Sequence, residues 1–262
     1  MSNSPTAAAR LAYMIGHPIA HTAMPAGVNT WAHDSGIDAL MAPVDVPPGA
    51  LAGFVAALRS TANCDGAVVT APHKVALTAL VDDLTPAARL VGAANVVIRN
   101  TDGRLTGDNT DGAGFVAALR EAGADPSGRH ALLFGCGGAG ASIAAALVAA
   151  GVARLELVDP DAARARTLAD ALGPSVQPVT VPESVEAHDL VINATAIGLD
   201  GTSVVHPLTG LRPGATAGDV VTKPPVTPFL RQAEVLGARI QPGSAMALAQ
   251  IPLVLRLFGW IE

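Results

Sequence analysis

The sequence has only two cysteines, Cys64 and Cys136. They supply neither a disulfide framework nor the spacing of a zinc-ligand pattern. Basic clusters are absent, and the net charge is −6, which argues against nucleic acid as a partner, since binding its phosphates needs a basic surface. No apolar run approaches the roughly 20 residues of a membrane-spanning helix. The mean hydropathy of +0.41 comes mostly from Ala and Val, and the longest candidate run, around Ile143 to Val152, reads as an ordinary helix. The opening stretch MSNSPTAAAR lacks a basic segment followed by an apolar one, so no signal peptide is expected and a reducing cytoplasm fits. Repeats and low-complexity linkers are also missing. His17, His21, His33 and His73 are scattered, with no paired-histidine motif, so no metal site is expected.

Half of the 262 residues are apolar and 15% are charged, the balance of a globular chain with one large or two medium cores. The most informative stretch is His130 to Gly140, HALLFGCGGAG. An apolar strand, Ala131 to Phe134, runs into Gly135, Gly137 and Gly140 in GxGxxG register. An Ala-rich helix follows over Ala141 to Ala150, and a second apolar strand, Leu155 to Val158, ends in Asp159. Strand, glycine loop, helix, strand and acid together form a dinucleotide-binding fingerprint in its proper context. Gly135 permits the tight turn, Gly137 lets backbone approach a pyrophosphate, and Gly140 lets the helix pack on the sheet. Asp159 stands where an acid hydrogen-bonds the ribose 2′-hydroxyl of NAD and repels a 2′-phosphate. It is equally placed to cap a helix starting near Pro160, and the two roles are compatible. NAD is therefore favoured over NADP, although Arg164 and Arg166 lie close enough to receive a phosphate.

The first part of the chain reads as a frayed tail to about residue 9, then a strand (Leu11 to Ile15), a polar loop (Gly16 to Pro25) and a helix (Ala26 to Ser35). A strand (Asp38 to Val46), a helix from Pro47 to Ser60 and a buried strand (Gly66 to Thr70) follow. Helix, turn and helix are expected from His73 to Leu90, and then a hairpin from Gly92 to Leu105 turning at Asn100 to Gly103. After a helix over Gly112 to Glu121 comes the nucleotide-binding unit, with further strands at Asp189 to Asn193, Ala217 to Val221 and Ala238 to Gln241. Helices cover Val226 to Leu236 and Ser244 to Phe258. The fold class is α/β.

Polar residues cluster where such strands end: Thr70 and Lys74 in TAPHK, Asn95 in GAANVV, and Asp111 in GDNTDG. Ligands in open α/β sheets sit at the carboxyl ends of strands, so these four look like a substrate constellation. Taken singly, Lys74 reads as a solvated helix-start lysine, Asp111 as an N-cap and Asn95 as a turn residue.

Seven stretches occur in order along nearly the whole chain: IGHPIAH (Ile15 to His21), VVTAPHK (Val68 to Lys74), GAANVV (Gly92 to Val97), GRLTGDNTDG (Gly103 to Gly112), FGCGGAG (Phe134 to Gly140), VINATAIG (Val191 to Gly198) and GSAMALAQ (Gly243 to Gln250). In these the sequence resembles the shikimate dehydrogenase family. The resemblance implies an N-terminal α/β substrate domain (1–107), a Rossmann-like NAD(P)-binding domain (108–241), and a C-terminal helix (242–262) returning to the first domain. It implies a dehydrogenase that interconverts a ring hydroxyl and ketone of shikimate, quinate or a related polyhydroxylated carboxylate. The catalytic pair would be Lys74 and Asp111. Thr22, Met24, Thr70, Asn95, Thr222 and Gln250 would meet the substrate. Gly135, Cys136, Gly137, Gly138, Ala139, Gly140, Asp159, Asn193, Ala194, Thr195, Val220, Gly243 and Met246 would line NAD or NADP. The expected partner is a small carboxylate, with no nucleic acid or membrane, in a monomer or homodimer. The alternative is a non-catalytic protein of the same fold that senses such an acid or the dinucleotide.

Two departures fall on recognition. The family usually reads the substrate carboxylate with a Ser-x-Ser pair and a tyrosine in a D-V-x-Y stretch. Here the pair is Thr22-Ala23-Met24, and the tyrosine position is Thr222. Each charged hydrogen bond contributes roughly 1.5–3 kcal/mol, so shikimate itself need not be the preferred acid. Lys223 either replaces the lost donors or is an ordinary surface lysine. Members that use NADP usually carry Asn-Arg-Thr after the second strand of the cofactor domain, where this chain has Asp159-Pro160-Asp161.

Overall fold

The computed structural model describes residues 5–20 and 22–262. Met1 to Ser4 of the expected tail, and His21 of the IGHPIAH stretch, lie outside the described residues. The chain divides into two compact units, Met1–Thr110 with Ile251–Glu262, and Asp111–Gln250.

The first unit holds β1 (Arg10–Gly16), α1 (Met24–Asp34), β2 (Ala39–Asp45), α2 (Leu51–Ser60), β3 (Cys64–Val69), β4 (Asp83–Leu84), α3 (Pro86–Val91), β5 (Val96–Arg99) and β6 (Leu105–Asp108). Its sheet has the order β2-β1-β3-β5-β6-β4. β1 runs parallel to β2 and β3, whereas β5 is antiparallel to both β3 and β6. β3 is buried along nearly its whole length, as an apolar strand covered on both faces must be.

Three expectations need correction. The residues just before β1 are not frayed throughout, because Thr6 donates its N–H and hydroxyl to Asp38, and Ala9 is buried. The segment between His73 and Leu90 is not two helices. It contains a 3₁₀ turn (Ala76–Ala79), the two-residue strand β4 and the short α3. The N–H groups of Asp82 and Thr85 donate to Leu105 and Gly107, so β6 takes the backbone groups a helix would need. Thr85 then caps α3, accepting from the Ala88 N–H, with a proline at the first helical position. Likewise Pro48–Ala50 forms a 3₁₀ turn ahead of α2 rather than its first turn.

The second unit holds α4 (Asp111–Glu121), β7 (His130–Phe134), α5 (Gly138–Ala149), β8 (Arg154–Val158), α6 (Ala162–Leu172), β9 (Val176–Pro178), β10 (Leu190–Asn193), β11 (Thr216–Asp219), α7 (Pro228–Val235) and β12 (Arg239–Gln241). Every pairing in the order β12-β11-β10-β7-β8-β9 is parallel. This is the doubly wound arrangement, with the topological switch between β7 and β10. α5 begins three residues before the expected Ala141, because the glycines themselves form its first turn.

The last helix, α8 (Gly243–Leu257), starts in the second unit and ends in the first. Val254, Leu255, Phe258 and Trp260 join the core formed by Ala12, Met14, Val28 and Met41. A polar bracket fastens this end. The Trp260 Nε1–H donates to Asp65 at 2.6 Å, Arg10 pairs with the same carboxylate at 2.8 Å, and the Arg10 guanidinium also donates to the carbonyls of Phe258 and Gly259. Trp260→Ala should cost about 3 kcal/mol by emptying a buried aromatic site. Trp260→Phe, which loses only the N–H, should cost about 1 kcal/mol. Thermal unfolding of both variants measures this, and an unchanged Tm in each would show that Trp260 does not fasten the chain end.

Candidate functional site

In the first unit, the polar residues gather at the carboxyl ends of β1 and β3. Thr70 directly follows β3, and its N–H donates to the Ile15 carbonyl at 2.8 Å. There is no room between these strand ends: a Cβ on Gly16 would stand 2.4 Å from the Thr70 methyl carbon. Lys74 is half-buried. Its carbonyl accepts from the Ala94 N–H at 2.9 Å, and the Asn95 carbonyl accepts from the Val69 N–H at 2.7 Å. Backbone pairing thus brings Thr70, Lys74 and Asn95 into one neighbourhood. Asn95 is buried, and its Oδ1 accepts from the Thr110 N–H at 2.8 Å and the Thr110 hydroxyl at 3.2 Å. His73 is a core histidine, its Nε2 at 2.7 Å from the Val46 carbonyl.

Thr22 precedes α1 and donates its hydroxyl to the Ile19 carbonyl at 3.1 Å. Met24 opens α1 and is buried. A thioether therefore fills a position where a hydroxyl would be a donor.

In the second unit, Asp111 is buried on the first turn of α4. It is not the residue before the helix, as a cap would be, but its first member. Gly112 lets α4 press onto α5: a Cβ there would lie 2.0 Å from the Ser142 carbonyl oxygen, and the Gly112 N–H donates to the Ser142 hydroxyl at 2.8 Å. Gln250 packs over Gly114, three residues on from Asp111, with its Cγ 2.3 Å from where a Cβ would stand. Positions i and i+3 share a helix face, so Gln250 reaches the same side of α4 as Asp111.

The glycine loop shows the two opposite uses of a missing side chain. Gly135 has φ +92°, and a Cβ there would meet Thr195 at 2.8 Å. At Gly140 a Cβ would overlap the Gly135 carbonyl oxygen at 1.8 Å. By contrast, a Cβ on Gly137 would meet nothing within 4 Å. Gly137 is the N-cap of α5, with no side-chain acceptor on the first-turn N–H groups. An exposed, uncapped helix start with open space above it is a receptor for an anion, favourable by about 0.3–1 kcal/mol from the helix dipole alone. The pyrophosphate of a dinucleotide fits these residues.

Asp159 closes this loop from the side. One carboxylate oxygen accepts from the Cys136 N–H at 2.7 Å and the other from the Asp161 N–H at 2.8 Å. The cap of α6 is Asp161, not Asp159, since Asp161 accepts from the N–H groups of Ala163 and Arg164. Arg164 lies 3.5 Å from each of the two carboxylates. The Cys136 thiol is pushed up to about 12, by burial first and by the Asp159 charge second, which makes it a space-filler rather than a nucleophile.

The loops after β10 and β11 are held by one buried network. Asn193 donates to Asp219 at 3.1 Å and to the Ile197 carbonyl, and accepts from the N–H and hydroxyl of Thr195. Asp219 also accepts from the Val221 N–H and the Thr227 hydroxyl. Burial raises the Asp219 carboxyl above its usual range, while those donors oppose the rise. Ala194 is carried beside the glycine loop, its carbonyl 3.1 Å from a Cβ on Gly135. Val220 and Gly243 are in contact: a Cβ on Gly243 would lie 2.6 Å from the Val220 carbonyl oxygen. Met246, on the first turns of α8, is buried. Thr222 and Lys223 are exposed.

A family model for the shikimate dehydrogenase substrate-binding domain matches residues 14–97. A second model, for the coenzyme F420-dependent NADP oxidoreductases, matches residues 129–198. The shikimate dehydrogenase (NADP(+)) of Rubrobacter xylanophilus is 40% identical over 245 residues, covering 90% of this chain and 86% of that one. This chain belongs to the shikimate dehydrogenase family. Among solved structures, the family likeness extends to the quinate dehydrogenase of Corynebacterium glutamicum in complex with NAD, at 29% identity and a TM-score of 0.84, covering 97% of this chain and 95% of that one. It extends equally to the 5-ketofructose reductase of a Gluconobacter species, at 30% identity and a TM-score of 0.84, covering 97% and 94%. The family's cofactor is a nicotinamide dinucleotide, which agrees with the uncapped helix and the glycine loop.

Proposed function

We propose that the protein is an NAD(P)-dependent dehydrogenase that interconverts a ring hydroxyl and a ketone of shikimate, quinate or a related polyhydroxylated carboxylate. The observation that carries this is identity at 40% across nine-tenths of the chain to a shikimate dehydrogenase. Residues 1–107 form the substrate domain in this reading, 108–241 the dinucleotide domain, and 242–262 the returning helix. Two buried free thiols fit residence in the reducing cytoplasm, and the protein is read as a monomer or homodimer.

The nicotinamide, when bound, supplies or accepts the hydride. Lys74 is assigned to the proton. Its ammonium stabilises negative charge developing on the carbonyl oxygen and donates a proton to it, and the amine takes that proton back in the oxidative direction. Asp111 is the carboxylate partner in this chemistry. Thr70, Asn95 and Gln250 are assigned to the remaining hydroxyls, with the orientation of Asn95 fixed by Thr110. Lys74→Ala should lower kcat by about 10²–10⁴, the usual contribution of a positioned proton donor, with unchanged circular dichroism. Full turnover in that variant would remove the assignment, and tight acid binding without turnover in the parent would favour a sensor.

NAD is the favoured cofactor. A 2′-phosphate placed at Asp159 would meet that carboxylate and Asp161, while the single charge of Arg164 is shared between them. Asp159→Ser should raise the NADP-to-NAD ratio of kcat/KM at least about tenfold, equivalent to about 1.4 kcal/mol. An unchanged ratio would mean that Asp159 only holds the loop.

The acid-reading end supports a second reading. The Thr22 hydroxyl proton is given to Ile19, Met24 has no donor, and Thr222 replaces a tyrosine, so a neutral polyhydroxy ketone of the kind named for the Gluconobacter relative is a competing substrate class. Steady-state kinetics with shikimate, quinate and 5-ketofructose separates the two. With Met24→Ser and Thr222→Tyr together, shikimate kcat/KM should rise about 10–100-fold, as expected for one or two regained charged hydrogen bonds. A flat response, with 5-ketofructose the best substrate of the parent, would select the neutral class.

A further inference from the structure

The amino ends of β7 and β8 carry a second group of chemistry-bearing residues, on the sheet but remote from the glycine loop. His130 is the first residue of β7, Glu156 lies within β8, and His188 sits just before β10. The β7–β8 register sets Leu132 opposite Glu156, and the β8–β9 register sets Glu156 opposite Gln177. Alternation along β7 puts His130 on the Leu132 face, next to Glu156. The Asp189 N–H donates to the His130 carbonyl at 2.8 Å and the His130 N–H donates to the Asp189 carboxylate at 3.0 Å, which brings His188 alongside. The imidazole centroids are 4.4 Å apart, and one donor atom from each of His130, Glu156 and His188 lies within 4.8 Å of the others.

The hydrogen bonds around this group fix where its lone pairs point. His130 Nδ1 is 3.0 Å from the Ala187 carbonyl. A carbonyl only accepts, so Nδ1 carries the hydrogen, and the neutral ring presents a bare Nε2. That Nε2 faces Glu156 Oε1 at 3.4 Å, an atom that also only accepts. His188 Nε2 stands 2.9 Å from Glu156 Oε2. The buried Nε2 of His130 and Nδ1 of His188 have no hydrogen-bond partner among the described residues. Arg154 already sets a positive charge against Oε1, but the buried His130 Nε2 has no donor, and a bare nitrogen facing a carboxylate away from water calls for a cation or a proton at that point. Outer partners are already in place: Arg154 at 2.7 Å and Gln177 at 3.0 Å hold Glu156 Oε1, and the Ala187 carbonyl holds His130. A histidine whose second nitrogen donates to a backbone carbonyl is the usual support of a metal ligand.

We propose that His130, Glu156 and His188 bind one divalent transition-metal ion, Zn²⁺ before others, as a structural site tying β7 and β8 to the segment that enters β10. Two imidazoles and a carboxylate form a known zinc ligand set, completed by water. With zinc–ligand bonds of about 2.0–2.1 Å, tetrahedral ligand atoms stand about 3.3 Å apart. The carboxylate meets the two imidazoles with different oxygens, His130 Nε2 at 3.4 Å from Oε1 and His188 Nε2 at 2.9 Å from Oε2, and one ligand atom from each residue lies within 4.8 Å of the others. His130 is roughly 17 Å along β7 from Gly135 of the glycine loop, five residues at about 3.3 Å each, so the ion takes no part in hydride transfer.

The test uses untagged full-length protein, stripped with a chelator and dialysed. Co²⁺ should bind at one equivalent with the visible band of a tetrahedral site, be displaced by Zn²⁺, and Zn²⁺ should raise Tm. His188→Ala and Glu156→Gln should each weaken Zn²⁺ binding at least about 100-fold. His130→Gln, at the strand's first position, provides a variant with the least disturbance to packing, its fold checked by circular dichroism. Binding no tighter than about 100 µM, equal affinity in all three folded variants, or a Tm that follows pH but not Zn²⁺ would each overturn the proposal. The last outcome would assign the positive centre to a proton.

Discussion

The second unit depends on how closely a helix can approach a strand. The Gly135 carbonyl oxygen occupies the space a Cβ on Gly140 would need. Any side chain at residue 140 would force α5 off β7, and the first-turn N–H groups would lose their place above the sheet. The same helix is approached from another side by Gly112, which rests against the Ser142 carbonyl. A helix made of Gly, Ala and Ser over Gly138 to Ser142 is what permits both contacts. Its apolar character is therefore a by-product of smallness rather than of a hydrophobic stripe, since the residues facing strand and helix alike must be nearly absent.

That requirement explains which features were legible in the sequence. Glycines needed at fixed offsets leave a readable spacing, so the strand–loop–helix–strand unit and its trailing acid stand out from residue type alone. The antiparallel hairpin of β5 and β6 was legible for a similar reason, through Asn100 to Gly103. The start of α5 was not, because a helix capped by glycine lacks the Ser, Thr or Asp that marks a beginning. β4 and β9 were invisible too. Two or three residues give no period to detect, and β4 exists only because β6 offers partners for its neighbours' backbone groups. The helix cap at Asp161 was missed in favour of Asp159, since two acids two residues apart look alike until the backbone decides which one precedes the helix.

The candidate site divides along the same line. Thr70, Lys74 and Asn95 were legible as polar residues at strand ends, and backbone pairing of Lys74 with Ala94 and of Asn95 with Val69 accounts for their grouping. The grouping of His130, Glu156 and His188 left no trace, because its members come from three segments whose adjacency is set only by parallel register. Around the positions proposed to read the acid, the scaffold is that of the family while the donors are not. Thr22 spends its proton locally, and Met24 is buried in the core beside Val28. Asp219 shows the reverse economy. One buried carboxylate gathers Asn193, Val221 and Thr227, so the two loops after β10 and β11 share a single anchor.

The capping of α6 by Asp161 has a consequence for how such a protein changes over generations. Because the helix owes its beginning to residue 161, residue 159 is spared the cap: it holds the glycine loop through the Cys136 N–H and touches α6 only through the Asp161 N–H and Arg164. Under the proposed cofactor role of Asp159, drift at that one position redirects the choice of electron carrier while the segment behind it stays wound, leaving metabolic allegiance and foldedness to evolve on separate schedules.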